Sequence, residues 1–167
     1  EIDSVKLVHD LGRPINELVD MGQIEGGLAQ GLGWMTMEDL QYNEKGQLLS
    51  NALASYKVPE VYFMPDDIQV MLLENADNVW GPYGSKAVGE PPLMYGIGVF
   101  FAIRNAMKAF REAVDTHKPS REFSFHSPMT PERVLTEIYG DDIQNDTGNG
   151  KLQDGILQEE KVHETSI

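Results

Sequence analysis

No cysteine occurs among the 167 residues. The chain by itself therefore holds no disulfide, no thiolate zinc site and no iron–sulfur cluster, and any such redox centre working with it must lie on another chain or domain. Positive charge is also scarce: 13 Lys and Arg stand against 27 Asp and Glu, a formal net charge of −14. A surface of that sign repels phosphate backbones and anionic lipid, so it argues against nucleic acid and membrane surfaces as partners and leaves small molecules or other proteins. No apolar run reaches the length of a bilayer span, and residues 1–10 lack the basic and apolar regions of a signal peptide, which points to a cytoplasmic setting. The four histidines, His9, His117, His126 and His163, show no metal-ligand spacing and read as ordinary surface or core residues. P-loop, nucleophile-elbow and Ser-His-Asp patterns are missing as well. The chain opens at Glu1 rather than methionine, which implies sequence upstream.

What is there suits one α+β domain over residues 1–140, followed by a polar, acidic tail at 141–167 expected to be disordered. "SVKLVH" (4–9) alternates like a half-buried strand and runs into the turn residues of "DLGRPIN". From Asn16, a suitable cap, apolar residues recur at helical spacing through a stretch with several interior glycines. "NEKGQLLS" predicts a hairpin-like turn, "YKVPEVYFMPD" an irregular extended segment and "DDIQVMLLEN" (66–75) a second strand. A long helix with prolines in its first turn is expected after residue 90, with Leu93, Ile97, Phe100, Phe101, Met107 and Phe110 on one side and Arg104, Lys108 and Arg111 exposed. Thr130, Pro131 and Gly140 mark the cap, first position and stop of a last short helix. Met21, Met35, Met37 and Met64 read as core filling.

Two stretches could carry chemistry. In "YGSKAVGEPPLMYG" (83–96), Glu90 stands between a glycine and two prolines where a loop becomes a helix. A residue before proline is pushed toward extended geometry, so Glu90 is expected to be held just ahead of the helix. Glutamate is a poor N-cap, yet the helix dipole favours its carboxylate form, as a general base requires. The bland alternative is a loop acid satisfying nearby amides. In "MGQIEGGLAQGLGW" (21–34), Gln23, Gly26, Gly27 and Gln30 share one side of a helix by their spacing. That side would present two amides over bare backbone, suited to a heterocycle or pterin. Gly22 with Gly26, and Gly27 with Gly31, also form small-xxx-small pairs, and plain helix packing is the alternative.

Taken together, "GQIEGGLAQGLG", "GSKAVGEPPL", "FFAIRNAM" and "SPMTPERV" resemble the C-terminal part of the molybdopterin-binding region of the xanthine dehydrogenase and aldehyde oxidase family, over about residues 5–139. The resemblance implies that Glu90 is the active-site base beside molybdenum, that Gln23 contacts the cofactor near the metal, and that Ala87, Val88 and Gly89 line the same cavity. With Gly26 and Gly27 of the glycine motif, these are the expected cofactor-binding residues. No protein ligand to the metal is implied, since the pterin holds it. The implied cofactor is molybdenum–molybdopterin, with or without a nucleotide extension, and iron–sulfur clusters and FAD are expected on other chains or domains. The implied reaction is hydroxylation of an N-heterocycle such as a purine with water-derived oxygen, with aldehyde oxidation as an alternative. The family's region is several times longer than this chain. Its remaining half and the iron–sulfur and flavin modules are therefore the implied partners, the isolated chain is expected to be inactive, and a non-catalytic module of the same fold is the competing reading.

Overall fold

The computed structural model describes residues 2–114 and 123–149, with 141–149 described as backbone alone. His117 and His163 lie outside the described residues, as does the expected tail beyond residue 149. Two parallel strands, β1 (Ser4–His9) and β2 (Asp67–Leu72), pair in register from Ser4 opposite Asp67 to His9 opposite Leu72. The predicted alternation is observed: Val5, Leu7, Ile68, Val70 and Leu72 turn inward while Lys6, Val8, Gln69 and Met71 turn out. A two-stranded sheet is marginal by itself. Here its inner face packs on helix α1 (Glu17–Thr36) and helix α2 (Gly96–Val114), in a core built on Leu28, Leu32 and Val99 with Phe63 and Met64 against it.

Helix α1 begins where the sequence places it. Asn16 Oδ1 accepts from the Val19 N–H at 3.3 Å while Asp20 Oδ2 accepts from the Asn16 N–H at 3.3 Å, so cap and first turn satisfy each other's free donors. The hairpin-like turn is present: Tyr42 pairs with Leu48, and Gly46 supplies a φ of +75°. Segment 56–66 is irregular apart from a single 3₁₀ turn at Val61–Phe63.

Four expectations need correction. The prolines open a separate 3₁₀ turn, Pro91–Tyr95, and α2 proper starts at Gly96. The buried side of α2 is also rotated from the predicted one: Val99, Phe100 and Met107 are buried, whereas Ile97, Phe101 and Phe110 are exposed. Arg104 follows Phe100 by four residues and Arg111 follows Met107 by four, so both share the inner face and are not surface cations. Arg104 donates to the Phe123 carbonyl at 3.0 Å, and Arg111 donates to the Ile138 carbonyl at 3.2 Å while lying over the Phe123 ring. They tie the segment 123–126 and helix α3 (Pro131–Asn149) to α2 beside a second core of Phe100, Met107, Phe123 and Met129. Thr130 caps α3 as expected, accepting from the Arg133 N–H at 3.3 Å. Gly140, however, does not stop it, and the helix continues to Asn149. A single glycine costs a helix interior about 1 kcal/mol, too little to end one when the chain beyond it remains compatible. Among the described residues no helix is long and apolar enough to cross a membrane.

The 3₁₀ turn and α2 approach α1 through glycine. A Cβ on Gly31 would overlap the Leu93 carbonyl oxygen, a Cβ on Gly96 would overlap the Gly31 carbonyl, and a Cβ on Gly27 would sit 2.7 Å from the Pro92 Cβ. No side chain fits between these backbones.

His9, at the end of β1, is buried. Its Nδ1 is 2.6 Å from the Tyr95 hydroxyl, its ring meets the Tyr95 ring edge-on, and its Nε2 has no partner among the described residues. Burial pulls its pKa below the ordinary 6.5, against the opposing pull of the neighbouring Asp10 carboxylate.

Four outcomes are expected. Gly31→Ala should destabilise the protein by about 1–3 kcal/mol in thermal or denaturant unfolding, because the opposing atoms are backbone and cannot rotate away. Gly98→Ala, on an open face of α2 with nothing within 4 Å, should be neutral or slightly stabilising. Because His9 binds its proton less readily folded than unfolded, stability should be unaffected by this group above about pH 6.5 and should fall as pH drops below it. His9→Gln should flatten that part of the stability–pH curve.

Candidate functional site

The glycine crossing brings the two motif-bearing stretches together. Gln23 lies one helical turn before Gly27 and two before Gly31, and Glu90 lies two residues before the fully buried Pro92 that covers Gly27. The Gln23 side chain therefore reaches the loop: its Oε1 is 3.6 Å from where a Cβ on Gly89 would sit. Glu90 follows directly, exposed, with no side-chain capping bond. Its backbone is in the helical region (φ −103°, ψ −39°) rather than the extended geometry expected before proline. The Leu93 N–H bonding to the Glu90 carbonyl at 3.1 Å closes that turn, and the seating of Pro92 on Gly27 offsets its cost.

The residues expected to share one open helical face divide into two groups. Gly27 is a packing glycine, closed off by Pro92, and forms with Gly31 the small-residue pair of the crossing. Among the described residues nothing lies within 4 Å of a Cβ on Gly22 or Gly26, and Gln23 and Gln30 beside them are exposed, so this strip of α1 backbone is bare of them. Ala87 and Gly89 are exposed and Val88 is half-buried. Gln23 thus meets Gly89 at the edge between α1 and the loop, with Gly26 in the next turn of α1 and Glu90 next along the loop, both exposed.

The loop is anchored from the end of β1. Gly12 pairs with Ser85 in an antiparallel bridge; the Lys86 N–H donates to the Leu11 carbonyl at 2.7 Å and the Arg13 N–H to the Gly84 carbonyl at 2.9 Å. Gly12 has a φ of +68°, and a Cβ there would overlap the Gly84 carbonyl, so no other residue fits this bridge. Lys86 Nζ meets Asp10 Oδ2 at 2.5 Å. The Lys86 ammonium, helped by the Gly12 N–H, holds the Asp10 carboxyl below its usual range. Sequence reasoning missed Asp10 and His9 as neighbours of the loop. Lys86 stands inside the "KAVGE" stretch, but its partner is 76 residues away and no local pattern connects them. Among the described residues no three His, Asp or Glu side chains gather as a metal-ligand set.

Residues 1–65 match a family model described as a molybdopterin cofactor-binding domain. The chain is 40% identical over 128 residues to xanthine dehydrogenase/oxidase of Felis catus, covering 77% of this chain and 10% of the relative. It is 41% identical over 132 residues to xanthine dehydrogenase 1 of Arabidopsis thaliana, covering 75% of this chain and 10% of that one. Its fold matches quinoline 2-oxidoreductase from Pseudomonas putida with a TM-score of 0.62 at 30% identity, over 78% of this chain and 15% of that one. The chain thus spans about a tenth of the length of the curated relatives it matches. With both glycine motifs on one edge, the matched sequence and the shared fold, the chain belongs to the xanthine dehydrogenase and aldehyde oxidase family of molybdenum hydroxylases, as part of its molybdopterin-binding region.

Proposed function

We propose that this chain supplies the general base and one wall of the cofactor site of a molybdenum hydroxylase, with Glu90 as the base. The observation that carries the reading is the meeting of Gln23 with Gly89, which brings an amide from one motif against the other motif at the residue next to Glu90. The residues fit a pterin. Bare backbone at Gly22 and Gly26 leaves room for a flat ring system against α1, and the exposed amides of Gln23 and Gln30 can both donate to and accept from its heteroatoms. When bound, molybdenum–molybdopterin supplies the two-electron redox centre and the activation of water that the chain lacks.

The chain's own residues then do three things. Gln23 and the Gly26 backbone hold the cofactor's edge; Gly89, having no side chain, keeps the approach to it open; and Glu90 accepts at a carboxylate oxygen the proton lost by the water-derived nucleophile. A carboxylate so positioned contributes about 10²- to 10⁴-fold. The substrate class we propose is an electron-poor N-heterocycle such as a purine, supported by relatives named xanthine dehydrogenase and a structural neighbour named for quinoline. Electrons would leave through iron–sulfur and flavin modules on other chains or domains, in a cytoplasmic assembly. Exposed Leu18, Leu53, Tyr62 and Trp80, each at least 85% accessible, support docking on the rest of the molybdopterin-binding region.

In the complete enzyme, Glu90→Gln should lower kcat by about 10²- to 10⁴-fold while molybdenum content stays at the wild-type level. Retained turnover would remove Glu90 from the base role, and an enzyme without molybdenum would favour the non-catalytic module. Gly26→Ala should leave thermal stability unchanged or raise it by up to about 1 kcal/mol, since alanine favours a helix. It should nevertheless reduce pterin and molybdenum content, because its methyl group would occupy the bare strip. Unchanged content would show that the strip faces something else.

A further inference from the structure

We propose that the dipeptide His9–Asp10 is a positioning bracket that grips the Glu90 segment at both ends. Asp10 holds the front end through Lys86, four residues before Glu90, at 2.5 Å. His9 holds the back end through the Tyr95 hydroxyl, five residues after Glu90, at 2.6 Å. Adjacent residues in an extended strand point to opposite sides, so one dipeptide at the end of β1 can take hold of two separate points on the same loop. Between the anchors Ala87, Gly89 and Glu90 are exposed, and Val88 is half-buried. The position of the segment therefore depends on its ends and on Pro92.

The two grips differ in strength for a physical reason. Lys86 and Asp10 are 36% and 41% exposed, so water competes for their ion pair. His9 and Tyr95 meet where His9 is only 4% exposed, and removing the Tyr95 hydroxyl would leave the buried Nδ1 without the partner it has. Burial also raises the Tyr95 pKa and lowers that of His9, so both remain neutral and the bond persists across the neutral range. The back grip is the stronger. It adjoins Gly96, the residue that meets Gly31, so the bracket and the glycine crossing hold the same turn.

The catalytic consequence rests on the reading of Glu90 given above, while the bracket itself is a mechanical claim about residues 84–95. The experiment is amide hydrogen exchange by mass spectrometry on the complete protein, with kcat and KM measured on the same samples. Tyr95→Phe should speed exchange across 84–95 on the order of tenfold, and Asp10→Asn about two- to fivefold, with peptides from α1 and β2 unchanged. Combining Asp10→Asn with Lys86→Met should add nothing further, since either change removes the same pair. Asp10→Glu should restore much of the protection. Both bracket variants should lower kcat with KM and molybdenum content little changed. Unchanged exchange in 84–95, or faster exchange spread evenly over the protein, would overturn the bracket, even if activity fell. Should Glu90→Gln remain active while the exchange pattern holds, the bracket stands and the base assignment falls.

Discussion

The structure depends on one close approach between backbones. Where the 3₁₀ turn and the start of α2 cross α1, Gly31 and Gly96 face each other with no room for a Cβ on either, and Pro92 covers Gly27 one turn earlier. Dispersion at such separations is gained over many atoms at once, and the helix-destabilising cost of the glycines is the counterweight. The crossing also sets a register: with Gly27 under Pro92, Gln23 must lie beside Gly89. A shift by one helical turn would separate the Gln23 amide from Gly89 by several ångströms. Packing glycines and site residues are therefore parts of one arrangement.

Glu90 illustrates how a side chain can be free while its backbone is not. Its backbone is in the helical region, the turn bond from Leu93 closes on its carbonyl, and Pro92 is buried, yet the carboxylate makes no capping bond and is exposed. Ordinary loop acids spend their oxygens on nearby amides. Rigid placement with an unspent acceptor is what a proton-accepting role requires, since a base must reach a position that exists only once its other reactants are bound.

The apolar surface is consistent with a segment built into something larger. Val8 and Met71 face outward from the two-stranded sheet, and Leu18, Leu53, Tyr62 and Trp80 are exposed on α1 and the connecting loops. Single exposed hydrophobics are ordinary, but parallel strands are usually covered on both faces, and among the described residues this pair is covered on one. Coverage of about a tenth of the relatives' length agrees with that picture.

By itself, the sequence determined the local elements whose signals are local: the Asn16 cap, the alternation in β1 and β2, the Gly46 turn and the Thr130 cap all appear where their chemistry predicts. It also singled out Gln23 and Glu90, because an acid before two prolines and amides among glycines are unusual choices for packing alone. It misjudged the inward side of α2, since aromatic residues on adjacent faces left the choice to whatever packs against them, and long cationic side chains can bury their stems while bonding to carbonyls. Gly140 misled for a related reason, as one weak stop signal could not decide a helix end. Only the tertiary structure decided which glycines pack and which stay bare, and which distant residues grip the loop. Both depend on contacts across tens of residues, as between Gly31 and Gly96 or Asp10 and Lys86, and the identity of a residue does not specify what will lie against it.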